Sequence, residues 1–158
     1  MNNSLTDIFE KNKFIYQNVY SNPHRSCYVL KFSMNTCDTD YYIEICSGKK
    51  LMFVYAVFPI KIPLAKRTDM AVFTALFNNN LTTGCWEINM LDGTLKFRIS
   101  YIYDDDSNNF EHNLLENLDL SIKYTDICSP SIMSVIFANA NPYDVFMELT
   151  GKIDITMN

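Results

Sequence analysis

The spacing of apolar residues changes period several times along the chain, and each change marks an element. Near the start, Leu5, Ile8 and Phe9 share one helical face, predicting a first helix over Ser4–Tyr16 capped by Ser4 or Thr6. Ser21-Asn22-Pro23 then signals a turn. From Ser26 the period drops to two. Tyr28, Leu30, Phe32 and Met34 fall on one face with Ser26, while Cys27, Val29 and Lys31 fall on the other. Asp38–Asp40 reads as a turn, Tyr41–Cys46 as a second strand and Ser47-Gly48-Lys49 as another turn. Leu51–Phe58 is apolar at both parities, which predicts a central strand covered on both sides.

Pro63 sets up a helix to about Phe77, with Met70, Phe73, Leu76 and Phe77 buried and Lys66, Arg67, Asp69 and Thr74 facing outward. Asp92-Gly93 is a strong two-residue hairpin signal, because a type I′ turn needs positive φ at both central positions. With those two residues as the turn, Leu91 faces Thr94, Met90 faces Leu95, Ile88 faces Phe97, Glu87 faces Arg98 and Trp86 faces Ile99. Trp86, Ile88, Met90, Leu95, Phe97 and Ile99 then share one side, and Glu87–Arg98 is a cross-strand pair on the other. Trp86, Glu87, Asp92, Gly93 and Arg98 thus explain themselves as structure rather than as a catalytic constellation.

Asp104–Asp106 closes that strand and leads into a helix from about Asn108, with Phe110, Leu114, Leu115, Leu118 and Ile122 on its apolar face. At Ser129-Pro130 either a new helix starts or one long helix kinks, and Ile132, Met133, Ile136 and Phe137 continue the burial. A short helix capped by Asn141 runs to Gly151, and Lys152–Asn158 forms a loose tail. The order is helix, three strands, helix, two strands, helix: an α+β fold whose antiparallel sheet carries its helices on one face.

Length and composition sharpen this picture without changing it. The 158 residues make one domain, 48% hydrophobic, with 11 Phe and 10 Tyr that favour a sheet. A net charge of −5 disfavours nucleic acid as a partner. The N-terminal sequence lacks the pattern of a signal peptide, and the most apolar window is too short to span a bilayer, so the expectation is a cytoplasmic protein with no membrane association. Cysteines 27, 37, 46, 85 and 128 are scattered and odd in number, which fits reduced thiols and makes neither a disulfide framework nor a zinc site. His24 and His112 have no nucleophile at motif spacing, and the four glycines form no phosphate cradle. No catalytic, cofactor-binding or metal-binding residue is therefore assigned.

Pro59, Pro63, Lys66, Arg67, Leu76, Gly84, Trp86, Glu87, Asp92, Gly93 and Arg98 lie where the YbjN domain family carries its pattern, and the segment Leu51–Phe137 resembles that family. Trp86 replaces the usual Phe and Asn89 replaces an acidic residue, while Pro130 is similar to a proline in the family's last helix. The resemblance implies a single domain similar to type III secretion chaperones, a tendency to dimerise, and action by binding other polypeptides rather than by catalysis.

Three functions follow as expectations. The leading one is a non-enzymatic protein-binding domain, chaperone-like or a regulatory adaptor, that captures a polypeptide or a second copy of itself. Helices cover only one sheet face in this topology, so Leu51, Phe53, Tyr55 and Val57, or the residues of opposite parity, would meet the partner. Within one chain, Pro142–Leu149 could instead fold over that face. The second is a small acidic immunity protein or inhibitor that neutralises a basic toxin through Asp104–Asp106 and Glu111. The third, an enzyme of unrecognised type, would need a cleft joining His24 or His112 to a carboxylate.

Overall fold

Alternation with period two is realised as an antiparallel sheet, and the helical spacings form a layer on one side of it. The computed structural model describes residues 5–32, 38–104 and 109–152. In chain order they form α1 (Leu5–Lys11), β1 (Tyr16–Asn22), β2 (Arg25–Phe32), β3 (Thr39–Cys46), β4 (Leu51–Val57), α2 (Arg67–Asn78), β5 (Cys85–Ile88), β6 (Leu95–Ile102), α3 (Phe110–Phe137) and α4 (Pro142–Lys152). The strands pair in the order β1-β2-β3-β4-β6-β5, every neighbour antiparallel. The chain passes from β4 through α2 to the edge strand β5 before returning to β6 beside β4.

One parity of each inner strand faces the helices. Leu30, Tyr41, Ile43, Met52, Val54, Ala56, Phe97 and Ile99 are all buried in a single core with Phe9 of α1, Phe73 and Phe77 of α2, and Leu114 and Ile132 of α3. Aromatic contacts tie the layers together. Phe97 lies 5.4 Å from both Trp86 and Tyr124, and Tyr124 makes an edge contact with Phe77. Val145 and Leu149 of α4 join the same core, and α4 packs on α2 and α3. The C-terminal helix therefore belongs to the helical layer and does not fold over the opposite sheet face. Asn141 caps it, its Oδ1 accepting from the Tyr143 N–H at 2.9 Å.

Several sequence expectations are corrected. The first helix ends at Lys11, and Tyr16–Asn22 is a strand, so the described residues hold six strands rather than five. Apart from Tyr16, β1 is exposed along its length; an edge strand with nothing to bury has no alternation to read. A bulge between Asn18 and Tyr20 breaks its register. Thr39 and Asp40 open β3 instead of forming a turn. Thr74 is buried, because its hydroxyl bonds the Ala71 carbonyl at 3.0 Å and needs no water. Phe137, at the end of α3, is exposed. The alternative left open at Ser129-Pro130 resolves as one 28-residue helix with Pro130 inside it. The readings for Ser4, Met34, Cys37, Asp105, Asp106, Asn108 and residues 153–158 fall outside the described residues.

The hairpin is shifted by two residues. Ile88 pairs with Leu95, Glu87 with Lys96, Trp86 with Phe97 and Cys85 with Arg98. Only Gly93 of the Asp-Gly pair has positive φ, at 79°, so no type I′ turn forms. A wider loop closes instead, with the Asn89 N–H bonding the Thr94 carbonyl and the Gly93 N–H bonding the Asn89 carbonyl, each at 2.8 Å. Arg67 supplies the reason. Its Nη1 donates to the carbonyls of Met90 and Leu91 at 2.9 and 2.8 Å, and its Nε to that of Ile62 at 3.2 Å. A residue expected to face solvent thus clamps the loop to the start of α2. A side chain at Gly93 would run into the Ile62 carbonyl oxygen, which is why glycine stands there. A shift of two preserves parity, so Trp86, Leu95, Phe97 and Ile99 still point into the core, but Met90 falls in the loop beyond β5 and is exposed rather than on the apolar face.

Candidate functional site: the open sheet face

The second parity of each strand faces away from all four helices, and strand pairing arranges it in rows. Reading from β6 toward β1, one row is Ile102, Leu51, Cys46 and Arg25. The next is Ser100, Phe53, Glu44, Cys27 and Tyr20. The third is Arg98, Tyr55, Tyr42 and Val29, with Cys85 beyond Arg98 on β5. The last is Glu87, Lys96, Val57, Asp40 and Lys31. Leu51, Phe53, Tyr55 and Val57 therefore form a stripe down the middle of this face. Each is half-buried, whereas Met52, Val54 and Ala56 between them are fully buried on the helical side. Of the two parities held open as a partner surface, the structure leaves this one uncovered among the described residues.

Lateral contacts account for the partial burial of the stripe. The Tyr55 and Tyr42 rings stack at 5.4 Å and 11°, and Lys96 Nζ sits 5.6 Å from the Tyr55 ring centre. The Tyr55 hydroxyl donates to Glu44 at 3.3 Å. Burial, followed by the neighbouring Cys27 and Glu44, pushes the Tyr55 phenol well above its ordinary value. Burial and the Glu44 hydrogen bond likewise raise Tyr20 to about 12. Near neutral pH these hydroxyls are neutral hydrogen-bonding groups.

Charged side chains flank the stripe. On one side Arg25 Nε lies 3.4 Å from Glu44 Oε1 and 2.9 Å from Cys46 Sγ. On the other, Glu87 holds Lys96 at 3.1 Å and Arg98 Nη2 at 2.5 Å. Burial would raise the Glu87 carboxyl, but hydrogen bonds from Arg98 and Lys96 outweigh it and hold it below its ordinary value. The expected Glu87–Arg98 pair is thus present, as a diagonal contact beside the direct Glu87–Lys96 pairing. Within the loop, the Thr94 backbone N–H and hydroxyl hold the Asp92 carboxyl down to about 2.

Two adjoining hollows lie along the stripe. One, about 470 Å³, is lined by His24, Arg25, Cys46, Lys49, Leu51 and Phe53. The other, about 250 Å³, is lined by Arg25, Glu44, Phe53, Tyr55, Lys96 and Arg98. Among the described residues, no carboxylate lines the hollow containing His24. His112 sits on the exposed side of α3, 3.8 Å from Glu116. Burial raises the thiols of Cys27, Cys85 and Cys128 and disfavours their thiolates. Among the described residues, no three His, Cys, Asp or Glu side chains gather to hold a metal ion. No helix among them is long and apolar enough to cross a membrane.

Sequence reasoning missed two clamps that hold the site's frame. Besides Arg67, Asn78 at the end of α2 bonds both ways with Trp86: its Nδ2 donates to the carbonyl at 2.9 Å and its Oδ1 accepts from the N–H at 2.7 Å. An asparagine next to two others carries no local sign of this role. A scan against protein-family models finds none that matches the chain, and a search of curated proteins finds no match.

Proposed function

We propose that the chain is a non-enzymatic binding protein that captures a polypeptide on its open sheet face, in the manner of a chaperone or regulatory adaptor acting in the cytoplasm. The observation that carries this reading is the uncovered stripe. All four helices, α4 included, pack on the other side, while Leu51, Phe53, Tyr55 and Val57 remain half-exposed between two banks of charge. Apolar floors with polar rims are the usual anatomy of a protein-binding surface. The resemblance to the YbjN domain family supports the same reading, including a homodimer through this face. The acidic-inhibitor alternative gains nothing from Glu111, which is paired with Lys11 at 2.8 Å.

The test places a photo-crosslinking phenylalanine at Phe53 and, as a control, at Lys123 on the outer side of α3, in the protein expressed in its own host cell. Adducts to a second copy or to a discrete polypeptide from Phe53, absent from Lys123, are expected. Equal labelling from both positions, together with a monomer by light scattering, would overturn the proposal.

A further inference from the structure

We infer that the open face selects acidic, amphipathic polypeptide segments. This inference rests on the capture reading above and specifies the chemistry of what is captured. Arg25 and Phe53 line both hollows, which therefore join into one groove along β4. Its floor is apolar, from Leu51 through Phe53 to Tyr55. Arg25 and Lys49 stand at one end, and Lys96 and Arg98 at the other.

The charge on this face is opposite in sign to that of the whole chain. The strands present Arg25, Lys31, Lys96 and Arg98 on it, and Lys49 stands at its rim, against the carboxylates Asp40, Glu44 and Glu87. Each carboxylate already has a cation: Lys31 at 3.9 Å from Asp40, Arg25 at 3.4 Å from Glu44, and Lys96 and Arg98 around Glu87. Lys49 makes no ion pair among the described residues. Among the described residues, five cations against these three carboxylates and Asp104, which follows Tyr103 beside Lys50 at the same rim, leave a surplus of one positive charge on a chain whose net charge is −5. An acidic segment is drawn to this surplus, and a basic one is repelled by it and finds Asp40, Glu44 and Glu87 already paired. The seven residues of β4 extend about 23 Å, room for an extended segment that alternates apolar side chains toward the floor with carboxylates toward the rims.

Two fluorescein-labelled peptides of about eight residues test this. Both alternate Leu and Phe with a charged residue, Glu in one and Lys in the other, and both are titrated by anisotropy into the purified full chain at low and moderate salt. The Glu peptide is expected to bind at least about tenfold tighter than the Lys peptide and to weaken as salt rises. Lys49→Glu, an exposed turn substitution that leaves the core untouched, should weaken the Glu peptide severalfold, and Lys49→Glu with Lys96→Glu should weaken it further. Equal binding of the two peptides, a preference for the Lys peptide, or indifference to Lys49→Glu would overturn the inference. If Phe53→Asp then abolished that unselective binding, capture on this face would stand without charge selection. Binding of neither peptide, or binding that Phe53→Asp leaves unchanged, would overturn both readings. A chain that dimerises through the face, becoming monomeric with Phe53→Asp and binding neither peptide, identifies the occupant as a second copy and overturns the acidic-segment inference alone.

Discussion

The two faces of the sheet are built from alternate residues of the same strands, yet they obey different rules. On β4, Met52, Val54 and Ala56 are fully enclosed between β3, β6 and the helices, and Leu51, Phe53, Tyr55 and Val57 are held only from the sides. The covered face is bound by close packing, in which every methylene has partners and loss of volume is felt directly. The open face is bound by stacked tyrosines and ion pairs, which are individually weak in contact with water. Equal hydrophobicity in the sequence therefore does not mean equal contribution to stability. Where apolar side chains remain only half-buried, their remaining surface is free to serve binding.

The comparison breaks most sharply at phenylalanine. Phe97→Ala, on the covered face between Trp86 and Tyr124, should cost about 3–5 kcal/mol of unfolding free energy in urea titrations. Phe53→Ala, on the open face, should cost less, about 1–2 kcal/mol, since its ring is only partly buried. Equal losses would erase the distinction. Between these lies Gly93→Ala, expected to cost about 2 kcal/mol or more through its positive φ and the Ile62 carbonyl in the way. That loss should show as a lower urea midpoint.

Smaller effects sharpen the contrast. Asn141→Ala removes the cap of α4 and should cost about 1 kcal/mol, while peptide binding at the open face stays unchanged; a loss of binding would mean that α4 reaches that face after all. Glu87→Gln should cost about 0.5 kcal/mol or less, the pair being partly solvated. Its pH signature is the better readout. Because the folded state holds the Glu87 carboxyl below its ordinary value of 4.5, its stabilisation is complete above that value and is lost as pH falls through the lower folded one. The Gln variant should therefore show a shallower loss of thermal midpoint as the pH falls below 4.5 than the unsubstituted chain.

Where burial repeats with a clean period, the sequence was readable. The stripe Met70, Phe73 and Phe77, the alternation of β6, and the double hydrophobicity of β4 each led to the observed element. The last of these predicted cover on both sides, whereas among the described residues the chain covers only one, because α4 packs with α2 and α3. The strand β1 was hidden because an edge with both faces wet selects no alternation, and Tyr-Gln-Asn-Val-Tyr-Ser-Asn reads as loop. The hairpin register failed for a different reason. Asp-Gly is a local signal, and the loop is decided by a long-range contact, the Arg67 guanidinium reaching carbonyls more than twenty residues away. The candidate surface was legible in its apolar members. Its cationic members, Arg25, Lys49, Lys96 and Arg98, come together only through strand pairing and turn geometry.

The bulge between Asn18 and Tyr20 has a consequence for how copies of this protein meet. The outer rim of β1 offers unpaired backbone groups that could template another strand, the beginning of a fibre. With one extra residue in that rim, its donors and acceptors fall out of step after a few positions, so an incoming strand can zip only briefly before mismatching. End-to-end growth is discouraged at the margin of the sheet, while the broad side beside Phe53 remains open to contact.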